Sequence, residues 1–230
     1  KSLNFLKKFD INEGDDYVVM HVRSEGYCDF DHHRNRNGNI YDYEAAIDLL
    51  LARGFKVVRI GHKKMLPIDE RKGFIDLTLL DRPDEVDIYL CARAKFYIGS
   101  GSGPFSLANT FGTPSLLLGM FPTYSIRSNV LAQFSQVHKI SSGKKIPFKT
   151  IINSAIRGIS SPKALKLNDI KYLPPCSEDI LDAVCDMLDF IEGGSVKKLN
   201  FENREYFLKN NFNGNMCLKN IEEFVDVNYD

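Results

Sequence analysis

Short apolar runs rich in valine, isoleucine and phenylalanine alternate with helix-like segments along the first half of this chain, and this alternation restricts the possible folds. The apolar runs, each typical of a buried strand, cover residues 17–23, 55–60, 74–78, 96–98 and 115–118. Segments with helical spacing or capping residues lie between them, at residues 42–53, 84–93 and 105–111. Because strands that alternate with helices form βαβ units, the sequence predicts an α/β fold with a doubly wound parallel sheet, Rossmann-like in its organisation.

The pattern is weaker after Gly119. Residues 128–136 and 148–156 are predicted as helices, and residues 163–172 are predicted to include a strand. A clearer helix is predicted for residues 177–191, with Ser177 as its N-cap and Gly193 after its last turn. We expect residues 1–195 to form one Rossmann-like domain. Residues 196–230 are then a helical tail that packs on it, with helices at 202–210 and 218–225.

The charges of the chain balance, with 30 lysines and arginines against 30 aspartates and glutamates. No overall electric field therefore attracts nucleic acid or anionic lipid, and any anion binding depends on local basic clusters. We expect no nucleic-acid partner.

The cysteines and the apolar segments indicate the compartment. Five cysteines is an odd number, and no two form a CxxC pair, so we expect reduced thiols rather than disulfides or a zinc site. No apolar run approaches the about 20 residues of a membrane span, and no signal peptide is visible. These features predict a cytoplasmic protein without a membrane span. The first residue is Lys1 rather than Met, which is consistent with a piece of a longer protein.

Glycine and serine alternate after the predicted strand at 96–98, in the turn formed by Gly99, Ser100, Gly101, Ser102 and Gly103. Backbone N–H groups in such a turn, followed by the positive end of a helix, suit a phosphate or diphosphate. The alternative is a tight connector that needs glycine only for its geometry. The turn lacks the GxGxxG and GxxxxGKS spacings, so it does not indicate a dinucleotide or P-loop site.

The first strand ends with His21, Val22 and Arg23, and a polar loop extends to residue 39. An arginine at the end of a buried strand is costly unless it is paired, and its planar group suits phosphate oxygens, so we favour a phosphate-binding role for Arg23. Arg34 and Arg36 follow in the same loop and are equally well explained as solvated charges. His21 faces either the cleft or the core, as a catalytic group or as a structural hydrogen-bonding group.

Acidic and histidine residues elsewhere in the chain are the remaining candidates for chemistry. Asp87 lies in the first turn of the predicted helix at 84–93, where it either complements the helix dipole or accepts hydrogen bonds from a ribose or base; the first explanation is preferred. The segment 29–31, Asp-Phe-Asp, is the closest match to a DxD metal motif. It lies in a loop, where exposure to solvent is the simpler explanation for its two aspartates. His32, His33 and His62 show no metal-ligand pattern, so no metal site is predicted.

Several segments together resemble a bacterial glycosyltransferase family with the GT-B fold. The members of this family are usually predicted from cell-surface polysaccharide loci. These segments are YVVMHVRSEGY, RNRNGNIYDY, GFKVVRIGH and DEVDIYLCARAKFYIGSGSGPFSLANTFGTPSLL, followed by SEDILDAVCDMLDFIEG. The resemblance covers about residues 16–194 and depends on the order and spacing of the segments. The HxR element, His21 to Arg23, is similar to the strand-end motif of the fucosyltransferases and O-fucosyltransferases, in which the arginine binds the donor diphosphate.

The resemblance implies the donor-binding half of a glycosyltransferase, with the N-terminal acceptor domain absent from this chain. It implies a nucleotide-sugar as donor substrate, a glycan acceptor, no further cofactor and no metal. Arg23 and the turn from Gly99 to Gly103 would then bind the diphosphate, and Asp87 would contact the nucleoside. Glu25 is the first candidate for the catalytic base and His21 the second.

Two other hypotheses remain open from the sequence. The chain could be a non-catalytic nucleotide-binding or regulatory module of the same fold. It could also be a different α/β enzyme, such as a nucleotide-dependent epimerase or a hydrolase, because fold alone does not determine chemistry.

Overall fold

Six parallel strands form the central sheet. The computed structural model describes residues 1–24, 36–120, 129–159 and 161–194. The strands, all in the first 134 residues, are β1 (Tyr17–His21), β2 (Lys56–Arg59), β3 (Phe74–Asp76), β4 (Phe96–Gly99), β5 (Ser115–Met120) and β6 (Val130–Phe134). Their order is β3-β2-β1-β4-β5-β6, and every neighbouring pair is parallel. The predicted doubly wound parallel sheet is confirmed.

The strands are apolar on both faces because helices cover both sides of the sheet. In β1, Tyr17 and Val19 belong to one buried cluster, and Val18 and Met20 belong to the other. Successive side chains of a strand point to opposite faces, so one continuous apolar run supplies two cores.

The helices are α1 (Ser2–Leu6), α2 (Glu44–Ala52), α3 (Asp84–Arg93), α4 (Gly103–Thr110), α5 (Phe148–Ile152), α6 (Pro162–Leu167) and α7 (Ser177–Ile191). Residues of α1, α3 and α4 pack in the first cluster, and residues of α2 and α7 pack in the second. None of the described helices is long and apolar enough to cross a membrane.

A small lobe connects β6 to α7. Its strands β7 (Gln136–Lys139) and β8 (Ile170–Leu173) are antiparallel and pair only with each other among the named strands of the described chain. The lobe, residues 136–173, has its own small core formed by Val137, Ile146, Ile151, Leu165 and Ile170. Phe148 of the lobe contacts Phe134 of β6 with ring centroids 4.6 Å apart.

The sequence predictions after Gly119 were partly wrong. The predicted helix at 128–136 is strand β6, because pairing with β5 and burial of Val130 and Leu131 outweigh the local helical pattern. The predicted helix at 148–156 ends at Ile152 and is followed by a 3₁₀ helix, Ala155–Gly158. The predicted segment at 163–172 contains α6 and then β8.

The last helix has its N-cap one residue earlier than predicted, at Cys176, whose backbone N–H donates to the Asp179 carboxylate at 3.2 Å. The predicted tail, residues 196–230, lies outside the described residues, so the division of the chain at residue 195 stays a prediction.

Gly99 is required by the contact between β1 and β4. It pairs with His21 across the two strands and has a φ of +149°, a conformation that residues with a Cβ rarely adopt. A Cβ at this position would overlap the carbonyl oxygen of His21. Glycine at this position therefore serves the sheet itself.

We expect Gly99→Ala to lower the free energy of unfolding by on the order of 3 kcal/mol. Neither the β1 backbone nor the β4 backbone can move away from the added Cβ without breaking the hydrogen bonds between the two strands. Urea denaturation measures this change. Gly101→Ala is the matched control, since a Cβ there meets no atom within 4 Å. Equal stability losses in the two variants would contradict the backbone contact.

Candidate functional site

The strand order reverses between β1 and β4, which are neighbours at the centre of the sheet. Ligands of open α/β sheets bind beyond the carboxyl ends of the strands at this switch point. His21 is the last residue of β1 and Gly99 the last of β4, and the two are paired. The structure therefore brings the two predicted strand ends together at one place.

Two cavities lie beyond these strand ends and share Arg23, Ser102 and Gly103. The larger has a volume of about 390 Å³, and its other lining residues are Arg36, Gly101, Phe105, Ser106, Leu117, Gly119 and Met120. The smaller has a volume of about 240 Å³, and its other lining residues are His21, Ser24, Gly61, His62, Met65, Asp87 and Pro104. The larger cavity is within the range of small-molecule sites, about 300–1,000 Å³.

The N-terminus of α4 lies at the wall that the two cavities share. Ser102 is the N-cap, and Gly103 and Pro104 begin the helix. The first N–H groups of a helix have no intrahelical acceptor and give this end a partial positive charge. A Cβ at Gly101 or Gly103 would meet no atom within 4 Å, so both glycines border open space, unlike Gly99.

Two half-buried arginines lie beside this helix end. The backbone of Arg23 is fixed, since its N–H donates to the Ser100 hydroxyl at 3.4 Å and its carbonyl accepts from the Gly38 N–H at 2.8 Å. Arg36 donates from Nη1 to the Gly101 carbonyl oxygen at 3.2 Å. This bond connects the loop after β1 to the turn after β4, and the Arg36 guanidinium adds a second positive charge to the larger cavity.

A chain of hydrogen bonds links His21 to the turn. Nδ1 of His21 lies 3.1 Å from the Ser102 hydroxyl, which lies 3.3 Å from the Tyr97 hydroxyl, and Tyr97 donates to the Ser100 carbonyl oxygen at 3.0 Å. Each hydroxyl has one hydrogen. All three bonds form only if Ser102 donates to Tyr97 and Nδ1–H of His21 donates to Ser102. These hydrogen bonds therefore favour the Nδ1–H tautomer of His21 and leave its Nε2 as an acceptor.

Burial is the largest cause that lowers the pKa of His21 to about 4, and the neighbouring Arg23, His62 and Arg59 contribute in the same direction. The imidazole is therefore neutral at pH 7. Burial also lowers the pKa of His62, with contributions from Lys64, Arg23 and Arg59. The smaller cavity is lined by two neutral imidazoles beside an arginine.

Asp87 is bound to a neighbouring arginine. Its two carboxylate oxygens accept from Nε and Nη2 of Arg82, at 2.6 Å and 3.0 Å. Arg82 also donates to the carbonyl oxygens of Leu77 and Gly61, and its side chain is 8% exposed. Asp87 thus lies at the edge of the smaller cavity as part of a structural ion pair.

Arg23, His21, Asp87 and the second half of the turn, Gly101 to Gly103, thus line the two adjoining cavities, which together we call the cleft. Gly99 and Ser100 line neither cavity, because Gly99 ends β4 and Ser100 is buried behind the turn. Glu25 and Arg34 lie outside the described residues, as does the segment 29–31. The sequence interpretation missed Tyr97, which lies within an apolar strand and gave no separate signal, and it left open whether Arg36 binds a ligand or is a solvated charge. It also did not identify the apolar wall formed by Phe105, Leu117 and Met120. Within the described chain, no three His, Cys, Asp or Glu side chains are grouped in a way that could bind a metal ion.

Comparison with known proteins gives a distant structural similarity. No protein-family profile and no curated protein matches the chain. A solved structure described as the glycosyl transferase family 9 from Veillonella parvula DSM 2008 aligns with a TM-score of 0.38 and 14% identity. The alignment covers 50% of this chain and 33% of that one, so the chain spans about a third of its length. A similarity of this size defines neither a family nor an activity, and the HxR resemblance stays a prediction.

The low pKa of His21 predicts a pH dependence of stability. The unfolded chain, in which the ordinary pKa is 6.5, takes up a proton before the folded state does. Stability is therefore complete above about pH 6.5 and falls as the pH falls toward 4. Between about pH 7 and pH 5, we expect the free energy of unfolding of the wild type to fall by about 2 kcal/mol more than that of His21→Gln. Urea unfolding at the two pH values measures this difference. Carboxylates titrate alike in both proteins, and equal losses would contradict the prediction.

Proposed function

We propose that the cleft binds the diphosphate of a nucleotide-sugar and that the chain is the donor-binding part of a glycosyltransferase. The observation that supports this most is the convergence of Arg23, Arg36 and the N-terminus of α4 on one cleft at the switch point of the sheet. Arginine side chains and helix N-termini are the groups that proteins use to bind phosphate oxygens. The sequence resemblance to GT-B glycosyltransferases agrees with this chemistry.

The two cavities suggest how the donor lies. In our proposal the diphosphate occupies the shared wall at Arg23, Ser102 and Gly103. The nucleoside occupies the larger cavity, whose apolar side chains Phe105 and Met120 suit a base. The sugar then lies in the smaller cavity, whose imidazoles suit hydroxyl groups. In this arrangement Asp87 lies beside the sugar, rather than beside the nucleoside as the resemblance implies.

Glycosyl transfer requires stabilisation of the leaving diphosphate as its negative charge develops. Arg23 would bind two of its oxygens through the planar guanidinium, and Arg36 and the helix end would add positive charge. In this proposal no metal and no further cofactor is needed. The anomeric carbon must also be aligned with the acceptor hydroxyl, and the wall shared by the two cavities fixes the phosphate end of the donor.

The acceptor hydroxyl must lose a proton to a base. Nε2 of His21 is an acceptor in the tautomer set by Ser102 and Tyr97. Glu25, which the sequence places two residues beyond Arg23, is the other candidate. The glycan acceptor itself, on a cell-surface polysaccharide, would bind a second domain, and we place the reaction in the cytoplasm.

A second candidate function is a non-catalytic nucleotide-binding module. It is favoured by one observation: a histidine with a pKa of about 4 is a weak base near neutral pH. Thermal shifts with UDP, GDP, CMP and their sugar derivatives test whether a nucleotide binds. Release of the nucleoside diphosphate from a labelled nucleotide-sugar then separates a transferase from a binding module. The absence of any thermal shift would contradict both functions.

We expect Arg23→Lys and Arg23→Ala to be equally defective, because lysine keeps the charge but loses the two parallel hydrogen bonds. The loss of transition-state stabilisation should be about 2–4 kcal/mol, two to three decades in rate. The rate of sugar transfer, the nucleotide affinity and the melting temperature are measured on the same proteins. Arg53→Lys, an exposed position, is the matched control. A variant with a lower melting temperature and unchanged nucleotide affinity would show that Arg23 is only structural.

We expect Gly101→Val to fold and to lose nucleotide binding. A Cβ at Gly101 meets no protein atom within 4 Å, so the added side chain occupies open space beside the larger cavity rather than the protein core. Affinity should fall by at least about tenfold while the free energy of unfolding changes by less than about 1 kcal/mol. Wild-type affinity in this variant would show that no phosphate lies at the turn.

A further inference from the structure

The neutral net charge of the chain conceals a strong separation of charge. The lobe at 136–173 has eight basic residues and one acidic residue, whereas the rest of the chain has 22 basic and 29 acidic residues. The basic residues of the lobe are Lys139, Lys144, Lys145, Lys149, Arg157, Lys163, Lys166 and Lys171. A positive field of this kind attracts an anionic partner to one part of the protein.

Two turns meet at one end of the lobe. The Ile140 N–H donates to the Asp169 carbonyl oxygen at 3.0 Å, which joins the turn after β7 to the turn before β8. The Lys139 N–H donates to the Lys144 carbonyl oxygen at 2.9 Å. We call residues 139–145 and 166–169 the basic tip. Lys144, Lys145 and Lys166 are exposed within it.

The single acid of the lobe fixes the shape of the basic tip. Asp169 accepts from the Ser141 backbone N–H at 2.8 Å and from its hydroxyl at 2.6 Å. These hydrogen bonds lower the pKa of Asp169, so it remains ionised. Its carboxylate is therefore engaged in connecting the two turns.

Further lysines continue from the basic tip along the strands of the lobe. His138 pairs with Lys171 of β8 and, through an isolated bridge, with Lys145. Paired residues of neighbouring strands lie on the same face, so both lysines flank His138 on the face opposite buried Val137. The positive charge is thus continuous from the basic tip onto one face of the small sheet.

Large apolar side chains are exposed among these lysines. Leu167 is 78% exposed and Ile140 is 47% exposed, and both lie in the basic tip. Exposed aliphatic side chains surrounded by lysine are typical of surfaces that enter the interfacial region of a bilayer while the lysines bind lipid phosphates.

We propose that the basic tip docks the protein on membrane surfaces that contain anionic phospholipid. Leu167 and Ile140 enter the headgroup region, and the surrounding lysines bind the phosphate groups. Nucleic acid fits less well, because both aromatic residues of the lobe are used internally. Phe148 packs on Phe134, and Tyr172 packs against the small core of the lobe, so both rings already contact the protein rather than forming a stacking surface for bases.

Docking is independent of the nucleotide-binding proposal, because no residue of the basic tip lines the cleft. The lobe nevertheless attaches at the same edge of the sheet as the cleft. It begins two residues after Phe134, the last residue of β6, and it ends near Pro175, whose Cδ lies 3.4 Å from the position of a Cβ on Gly119 in β5. Membrane docking and ligand binding would therefore occur at one edge of the sheet.

The test is sedimentation of the full chain with vesicles. Vesicles of phosphatidylcholine with about 30% phosphatidylglycerol should bind the protein, and pure phosphatidylcholine vesicles should not. Raising the salt from about 0.1 M to about 0.5 M should weaken binding, since the lysines are exposed. The variant Lys144→Gln/Lys145→Gln/Lys166→Gln should bind about 100-fold more weakly, at roughly fivefold per lysine.

The control is Lys7→Gln/Lys8→Gln/Lys72→Gln, which removes the same charge from exposed positions outside the lobe and should bind as the wild type does. Leu167→Ser should weaken binding about tenfold without affecting folding, since the side chain is already exposed. Unchanged binding of Leu167→Ser would contradict insertion. Failure of the wild type to prefer phosphatidylglycerol vesicles, or equal losses in the two lysine variants, would overturn the proposal. Binding of a mixed-sequence RNA oligonucleotide without vesicle binding would overturn it in favour of nucleic acid.

Discussion

The close pairing of His21 with Gly99 is the contact on which the candidate site depends. It places the carboxyl ends of β1 and β4 side by side at the point where the strand order reverses. The glycine allows the β4 backbone to approach the His21 carbonyl, and the chain then turns into α4. Because of this contact, Arg23 from one strand end and the helix N-terminus from the other border the same cleft.

The electrostatics of the cleft follow from burial beside several cations. His21 is buried near Arg23, Arg59 and His62, so it stays neutral and the net positive charge comes from the arginines. An anion bound at Arg23 should raise the pKa of His21, since negative charge stabilises the imidazolium. Ligand binding and the basicity of His21 are then coupled, which would bring this weak base closer to the pKa of a useful proton acceptor.

The lobe and the cleft show that a neutral net charge does not mean an even distribution. Positive charge is concentrated in the lobe, and both the lobe and the cleft lie at the carboxyl edge of the sheet. Composition alone predicted that any anion binding would depend on local basic clusters. It did not show that the lysines of two sequence-distant turns lie together, because that depends on the bond between Ile140 and Asp169.

The sequence by itself determined the parallel sheet and the two chemically rich strand ends, because apolar runs and glycine-rich turns are local signals. It did not determine β6, whose strand conformation depends on pairing with β5. Nor did it separate Gly99 from Gly101, since one glycine avoids a backbone overlap and the other borders open space. Asp87 acquired its partner Arg82 and His21 its hydrogen bond to Ser102 only in the folded chain. Tertiary structure decided these roles because each depends on distances between residues that the sequence pattern does not specify.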